Sequence, residues 1–272
     1  MKGIGSEQRF GEEYWLPRNF RDDLPRPAPT SEEKEAMKNE LFSLGNIFRG
    51  YRRWWQIDGA LNIFLRSQTD IFNVFHRDID VSLREKDVFS LEKYLLRRGY
   101  GLFLYRKEKI HNPAGFVRIF KRVGAADFRR SDDWQLRIAV ISEDGRICLG
   151  ADLVFIDVAL ISETGEGKFF GWLDIPLPDH WLSYKRAIVF SGEVVIYLSH
   201  PARFFLSKLF FFRRSDEDDL TALMTLQIIT LRDLEDIENI LKEVWRKYKD
   251  RILVEMKDGV TARIERFRAS LR

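Results

Sequence analysis

One cysteine in 272 residues, Cys148, leaves no intrachain disulfide and no cysteine-rich zinc site. Within Ile147-Cys148-Leu149 it reads as a small half-buried hydrophobe rather than a nucleophile. Neither sign of charge is in excess. Against 45 Lys and Arg stand 42 Asp and Glu, a net +3, which excludes a broad electrostatic footprint for nucleic acid or anionic lipid. The pI of about 8.9 leaves room for a local basic patch. No charge-free apolar run approaches the ~20 residues of a membrane span, and the first residues lack the apolar stretch of a secretory signal. The expectation is a cytoplasmic protein with no membrane partner. There is no internal repeat and no low-complexity segment. What is present is a globular composition: 45% hydrophobic, 32% charged and 14% aromatic, with 22 Phe and 7 Trp, enough to build a large core.

Residues 1–30, broken by Pro17, Pro25, Pro27 and Pro29, read as an arm. Thr30-Ser31-Glu32-Glu33 is capping chemistry, and Met37, Leu41, Leu44 and Phe48 recur at helical spacing up to Gly50. Trp54, Trp55 and Ile57 form a short strand that Asp58-Gly59-Ala60 turns into a helix over 61–65. A polar loop from Arg66 to Asn73 follows, then a strand over 78–83 and a helix over 87–98 that Gly99 stops. Strands are predicted at 100–105, 116–120 and 135–141, and Leu149 to Ile161 reads as a central strand buried on both faces. Phe169 to Leu182, interrupted by Pro176 and Pro178, reads as loop, and 187–190 with 193–198 as a last strand pair. Pro201 opens a helical part, with helices over 202–214, 216–229 and 231–248, and 251–272 fits either helix or strand. The organisation is an arm and helix (1–50), a mixed α/β body (51–200) and a helical C-terminal region (201–272).

Within this layout Asp78-Ile79-Asp80 is the focal stretch. On a strand, two carboxylates separated by one apolar residue share a face, while Ile79, Val81 and Leu83 face a core. Like charges so placed repel, and a divalent cation between them relieves it; the alternative is a solvated strand carrying two Asp. About twenty residues earlier, Gly59 and Ala60 open a helix whose first amides can hold a phosphate, or merely make a packing turn. Later, Asp157 lies inside Leu153-Val154-Phe155-Ile156-Asp157-Val158-Ala159-Leu160-Ile161. A charge in such a run requires either a metal or an ion pair, with Arg137 as the candidate partner. Lys208, within Phe204-Phe205-Leu206-Ser207-Lys208-Leu209-Phe210, either snorkels to water or meets a nucleotide phosphate.

The order of a Gly turn at a strand–helix junction, an Asp-x-Asp strand and a lone acid on a later strand resembles the nucleotidyltransferase superfamily typified by DNA polymerase β. Asp58-Gly59-Ala60-Leu61 with Phe75-His76-Arg77-Asp78-Ile79-Asp80 looks most like the lincosamide and aminoglycoside nucleotidyltransferases. Tyr197-Leu198-Ser199-His200-Pro201, Lys208 and Arg213-Arg214-Ser215-Asp216 follow in a similar order, and the likeness spans roughly residues 51–235. Ala60 stands where relatives carry a second Gly or a Ser. The resemblance implies a nucleotidyltransferase-like mixed sheet flanked by helices with a helical C-terminal part. It implies two Mg²⁺ ions held by Asp78, Asp80 and Asp157, and phosphates held by Gly59, Ala60 and Lys208 with His76 beside them. It further implies transfer of a nucleoside monophosphate from an NTP, ATP favoured, to an acceptor hydroxyl, most simply of a small molecule. A toxin-type or regulatory enzyme acting on protein or tRNA, a fukutin-like phosphocholine-type transferase, and a non-catalytic nucleotide-binding module are the alternatives. Oligomeric state is left open.

Overall fold

The computed structural model describes residues 8–10, 28–67, 78–111, 114–122, 135–141, 155–162, 165–169, 173–190, 194–210, 214–250, 252 and 254–271. Helix α1 (Ser31–Phe48) starts on a complete capping box, in which Thr30 Oγ1 accepts from the Glu33 N–H and the Glu33 carboxylate accepts from the Thr30 N–H. Its apolar stripe, Met37, Leu41, Leu44 and Phe48, is buried as the spacing predicts. After Gly50, strand β2 (Trp55–Ile57) runs into helix α2 (Gly59–Ser67). Strand β3 (Asp78–Arg84) and helix α3 (Val88–Leu96) follow.

The β-rich middle comprises β4 (Tyr100–His111), β5 (Ala114–Arg122), β6 (Gln135–Val140), β7 (Phe155–Ile161), β8 (Glu166–Phe169), β9 (Leu173–Pro176), β10 (Arg186–Phe190) and β11 (Val194–Leu198), while β1 (Gln8–Phe10) comes from the N-terminal arm. These eleven strands, among the described residues, form one mixed sheet whose main path is β1-β5-β4-β6-β7-β3-β2-β11-β10. The β3–β7 and β2–β11 pairs are parallel and the other pairs antiparallel. Helices α4 (Asp179–Leu182), α5 (Pro201–Phe210), α6 (Arg214–Leu226), α7 (Leu231–Lys247) and α8 (Val254–Ser270) complete the chain. The architecture is mixed α/β with a helical C-terminal part, and no described helix is long and apolar enough to cross a membrane.

Several expectations change. The segment Phe169–Leu182 is not simply loop: β9 and α4 lie within it. Arg66 is not in a loop but closes the last turn of α2, buried. The alternative left open for the C-terminus resolves to a helix, because Val260, Ile264 and Phe267 share one buried face. Strand β7 is central, but Ala159 is exposed, so one of its faces is partly open. Residues 149–154, Cys148 and the turn at 143–145 lie outside the described residues.

The two faces of the sheet carry different cores. Ile57, Ile79, Val81, Leu83, Ile156, Val158, Ile196 and Leu198 pack with α1 and α3. On the other side Ile161, Ile175 and Trp181 pack with α5 to α8. Helix α2 serves both: Leu61 and Leu65, four apart, join the first core, while Ile63 joins the second. This double anchorage fixes the start of α2, and with it Gly59, at the edge of the sheet where β2 and β11 end and β3 and β7 begin.

Candidate active site

Alternation along β3 puts Ile79, Val81 and Leu83 in the first core and gives Asp78, Asp80 and Ser82 the opposite face. The parallel register of β3 on β7 sets Asp80 beside Asp157, with Asp78 beside Phe155. Neighbouring strands lie about 4.8 Å apart, so three acidic positions, 78, 80 and 157, occupy one small area of one face. On the far side of Asp157 the antiparallel register places Arg137 directly opposite it. Arg137 is 8% exposed, and its guanidinium lies 3.9 Å from the centre of the Tyr105 ring. Both partners weighed for Asp157, a second acid and an arginine, therefore flank it.

The Gly turn meets this area from β2. Gly59 has φ +70°, a left-handed backbone that glycine takes without steric penalty. A Cβ on Gly59 would stand 3.0 Å from Asp80 Cγ and closer still to Asp80 Oδ2, so only a glycine lets the helix start sit against that carboxylate. Ala60, the next residue, is half-buried against the second core. The Asp58 N–H donates to the Asp80 carbonyl at 2.8 Å, which ties the turn to β3. Gly59→Ala is expected to lower stability by about 2–4 kcal/mol, from the left-handed backbone and the clash together. A urea midpoint that moves down with an unchanged slope checks it.

Beneath the turn lies a polar network that sequence reasoning missed. The Asp58 carboxylate accepts from Ser82 Oγ, from Ser199 Oγ and, at 2.6 Å, from the Arg203 guanidinium. Arg203 also donates to Gln56 Oε1 at 3.1 Å and to Ser82 Oγ at 2.6 Å. Arg66, its pKa lowered by burial, donates to Asn62 Oδ1 and Tyr184 Oη at 2.7 Å and to the Ser199 carbonyl. The signals were faint: Ser82 continues the Asp78, Asp80 alternation, and Arg203 is a second cation in a helix where Lys208 drew the attention.

Lys208 takes a different position from the one expected. Its ammonium is buried and bound at 2.7 Å by both Asp216 and Asp219, the acids at the start of α6. Five residues beyond Arg203, it lies about 7.5 Å along α5 and about 140° around it, so it faces α6 rather than the sheet. Arg263 from α8 donates to the Lys208 and Leu209 carbonyls at 3.0 and 3.1 Å, closing the end of α5. Lys208 thus ties α5 to α6 instead of reaching a phosphate. His76 lies outside the described residues.

His200, next to Ser199, stacks on Trp181 with ring centres 5.6 Å apart and planes 7° from parallel. Burial, opposed by Asp233 but reinforced by Arg66, His180 and Arg203, lowers its pKa from 6.5 to about 4. Between these values the unfolded chain binds this proton and the native chain does not, so stability falls as pH drops from 6.5 towards 4. The prediction is a fall of melting temperature across that window, and a visibly flatter fall in His200→Gln.

No protein-family model matches the chain, and no curated protein matches it in sequence. Among solved structures the chain is similar to an antigenic nucleotidyltransferase-like protein from Paracoccidioides brasiliensis, at 12% identity and a TM-score of 0.41 over 87% of this chain and 95% of that one. It is also similar to the antibiotic-resistance factor ANT(2'')-Ia, at 10% identity and a TM-score of 0.42 over 80% of this chain and 97% of that one.

Proposed function

We propose that the protein is a Mg²⁺-dependent nucleotidyltransferase that moves a nucleoside monophosphate from an NTP, ATP favoured, to a hydroxyl of a small acceptor. The observation that carries this reading is the register of Asp80 on Asp157 with Gly59 packed against the Asp80 carboxylate. The donor set fits the ion: carboxylate oxygens are the hard ligands that Mg²⁺ prefers, and three of them come from two rigid strands. When bound, Mg²⁺ supplies charge neutralisation at the entering and leaving oxygens.

The residues of the chain do the rest. Asp78 and Asp80 present acceptor oxygens from β3, and Asp157 completes the set from β7 and eases loss of the acceptor proton. The first amides of α2, at Gly59 and Ala60, donate to the β- and γ-phosphates, where the positive end of the helix favours anions. Asp58 stays out of the chemistry, because its carboxylate is occupied by Ser82, Ser199 and Arg203. In the transfer, the acceptor oxygen bonds to the α-phosphorus, the bond to the bridging oxygen breaks, and pyrophosphate leaves.

The test is transfer of label from α-labelled ATP to aminoglycosides, lincosamides, protein or RNA, with and without Mg²⁺. Mg²⁺-dependent label on an acceptor supports the reading, and no transfer together with no Mg²⁺-dependent thermal protection by ATP contradicts it. Arg137 favours a second reading, in which Asp157 is the partner of that guanidinium and only Asp78 and Asp80 hold metal. Asp157→Asn separates the two. It lowers transfer as much as Asp80→Asn does if Asp157 is a ligand, and lowers stability with transfer kept if it is an ion-pair partner.

A further inference from the structure

We infer that His180, Asp233 and Asp236 form a zinc site that pins helix α7 to α4, outside the nucleotide site and independent of its activity. Asp233 and Asp236 stand three apart on α7, hence on one face of the helix. One donor atom from each of the three residues lies within 4.8 Å of the other two. His180 Nε2 is 3.1 Å from Asp236 Oδ2, an oxygen that is buried and has no hydrogen-bond partner among the described residues.

The two oxygens of Asp233 have separate duties. Oδ2 takes the Thr230 N–H at 2.9 Å and the Thr230 hydroxyl at 2.7 Å, the capping box of α7. Oδ1 faces His200 Nε2 at 3.7 Å. The Nδ1 of His200 accepts the Ala202 N–H at 3.3 Å. The cluster sets two carboxylates, Asp233 and Asp236, against the one imidazole of His180, with a deficit of positive charge at the buried Asp236 oxygen.

A divalent cation removes that deficit. One imidazole nitrogen with two carboxylate oxygens suits Zn²⁺ better than Mg²⁺, which favours oxygen alone. Ligands sharing a zinc ion lie about 3–3.5 Å apart, so the cluster closes by roughly an ångström. The His180 side chain is 41% exposed, which gives it room to make that movement and leaves the fourth position to water.

The experiment uses the full metal-stripped chain carrying Asp80→Asn, so that the nucleotide-site acids do not compete for the ion. Equilibrium dialysis against Zn²⁺ is expected to leave one zinc per chain. Adding His180→Gln or Asp236→Asn weakens that binding at least tenfold. Neither substitution touches the Thr230–Asp233 cap, and the melting temperature without zinc, expected to stay the same, verifies that each variant folds. The chain has four histidines, and long-range ¹H–¹⁵N spectra should show the His180 ring nitrogens shifting on zinc addition, a shift absent from Asp236→Asn. No retained zinc, retention indifferent to both substitutions, or an unshifted His180 ring overturns the proposal, whatever the outcome of the transfer assay.

Discussion

Asp80→Asn is expected to lower Mg²⁺-dependent transfer about a thousandfold and to leave the fold intact. Asp80 is the central position of the candidate site: it stands beside Asp157 in register, two residues from Asp78, with Gly59 packed on its carboxylate. Replacing one oxygen by an amide removes one oxygen of the proposed metal-binding set without changing the volume that Gly59 leaves for it. Metal stabilisation of transferring phosphate is worth several kcal/mol, and each 1.36 kcal/mol is a factor of ten in rate. Stability should stay level or rise slightly, because a crowded negative charge is removed. The assay is initial rate of label transfer at saturating Mg²⁺ and ATP, read beside the melting temperature. Loss of Mg²⁺-dependent protection by ATP in the same variant would place the defect at the metal rather than at the acceptor.

Arg203→Met should destabilise the protein by about 3–5 kcal/mol, the range for stripping the partner from a buried charge. Arg203 is 5% exposed and bridges α5 to three sheet-side groups, Gln56, Asp58 and Ser82. Without it the Asp58 carboxylate, itself poorly exposed, keeps only hydroxyl donors. Among single domains a loss of this size lowers the melting temperature by roughly 10 °C. Adding Asp58→Asn to Arg203→Met is expected to recover part of the loss, since no uncompensated charge then remains. Equal and additive losses would show that the two residues do not form the coupled pair described above. The variant also bears on function, because Asp58 sets the Gly59 turn through its N–H to the Asp80 carbonyl.

Much of the architecture was legible because it rests on local rules. The Thr30–Glu33 box and the 37, 41, 44, 48 spacing specify α1, Gly99 stops the chain after α3, and the period of two in Ile79, Val81 and Leu83 specifies which face of β3 is core. Elements without a period of their own were not legible. Helix α4 is four residues long directly after Pro178, and the charged half of β4 from Arg106 to His111 pairs along its length with β5. The candidate site was legible only as residue types in order. That Asp80 and Asp157 are lateral neighbours depends on a strand register across more than seventy positions, which no local pattern encodes.

The cations show the same limit. A Lys or Arg inside an apolar helix reads identically whether it snorkels, binds a ligand or neutralises a buried acid. Lys208 finds Asp216 and Asp219 within ten residues or so, a partnership visible in hindsight in the acidic start of α6. Arg203 finds Asp58 from 145 residues away, so its role emerges only when β2, β3 and α5 are brought together.

The most direct test of the three-acid site is diffraction from crystals grown with Mn²⁺ and a non-hydrolysable NTP, recorded at the manganese absorption edge. The account predicts anomalous peaks bounded by the carboxylates of Asp78, Asp80 and Asp157, with the nucleotide phosphates against the amides of Gly59 and Ala60. Absence of any peak at those carboxylates, with Asp157 instead bound to the Arg137 guanidinium, would contradict it.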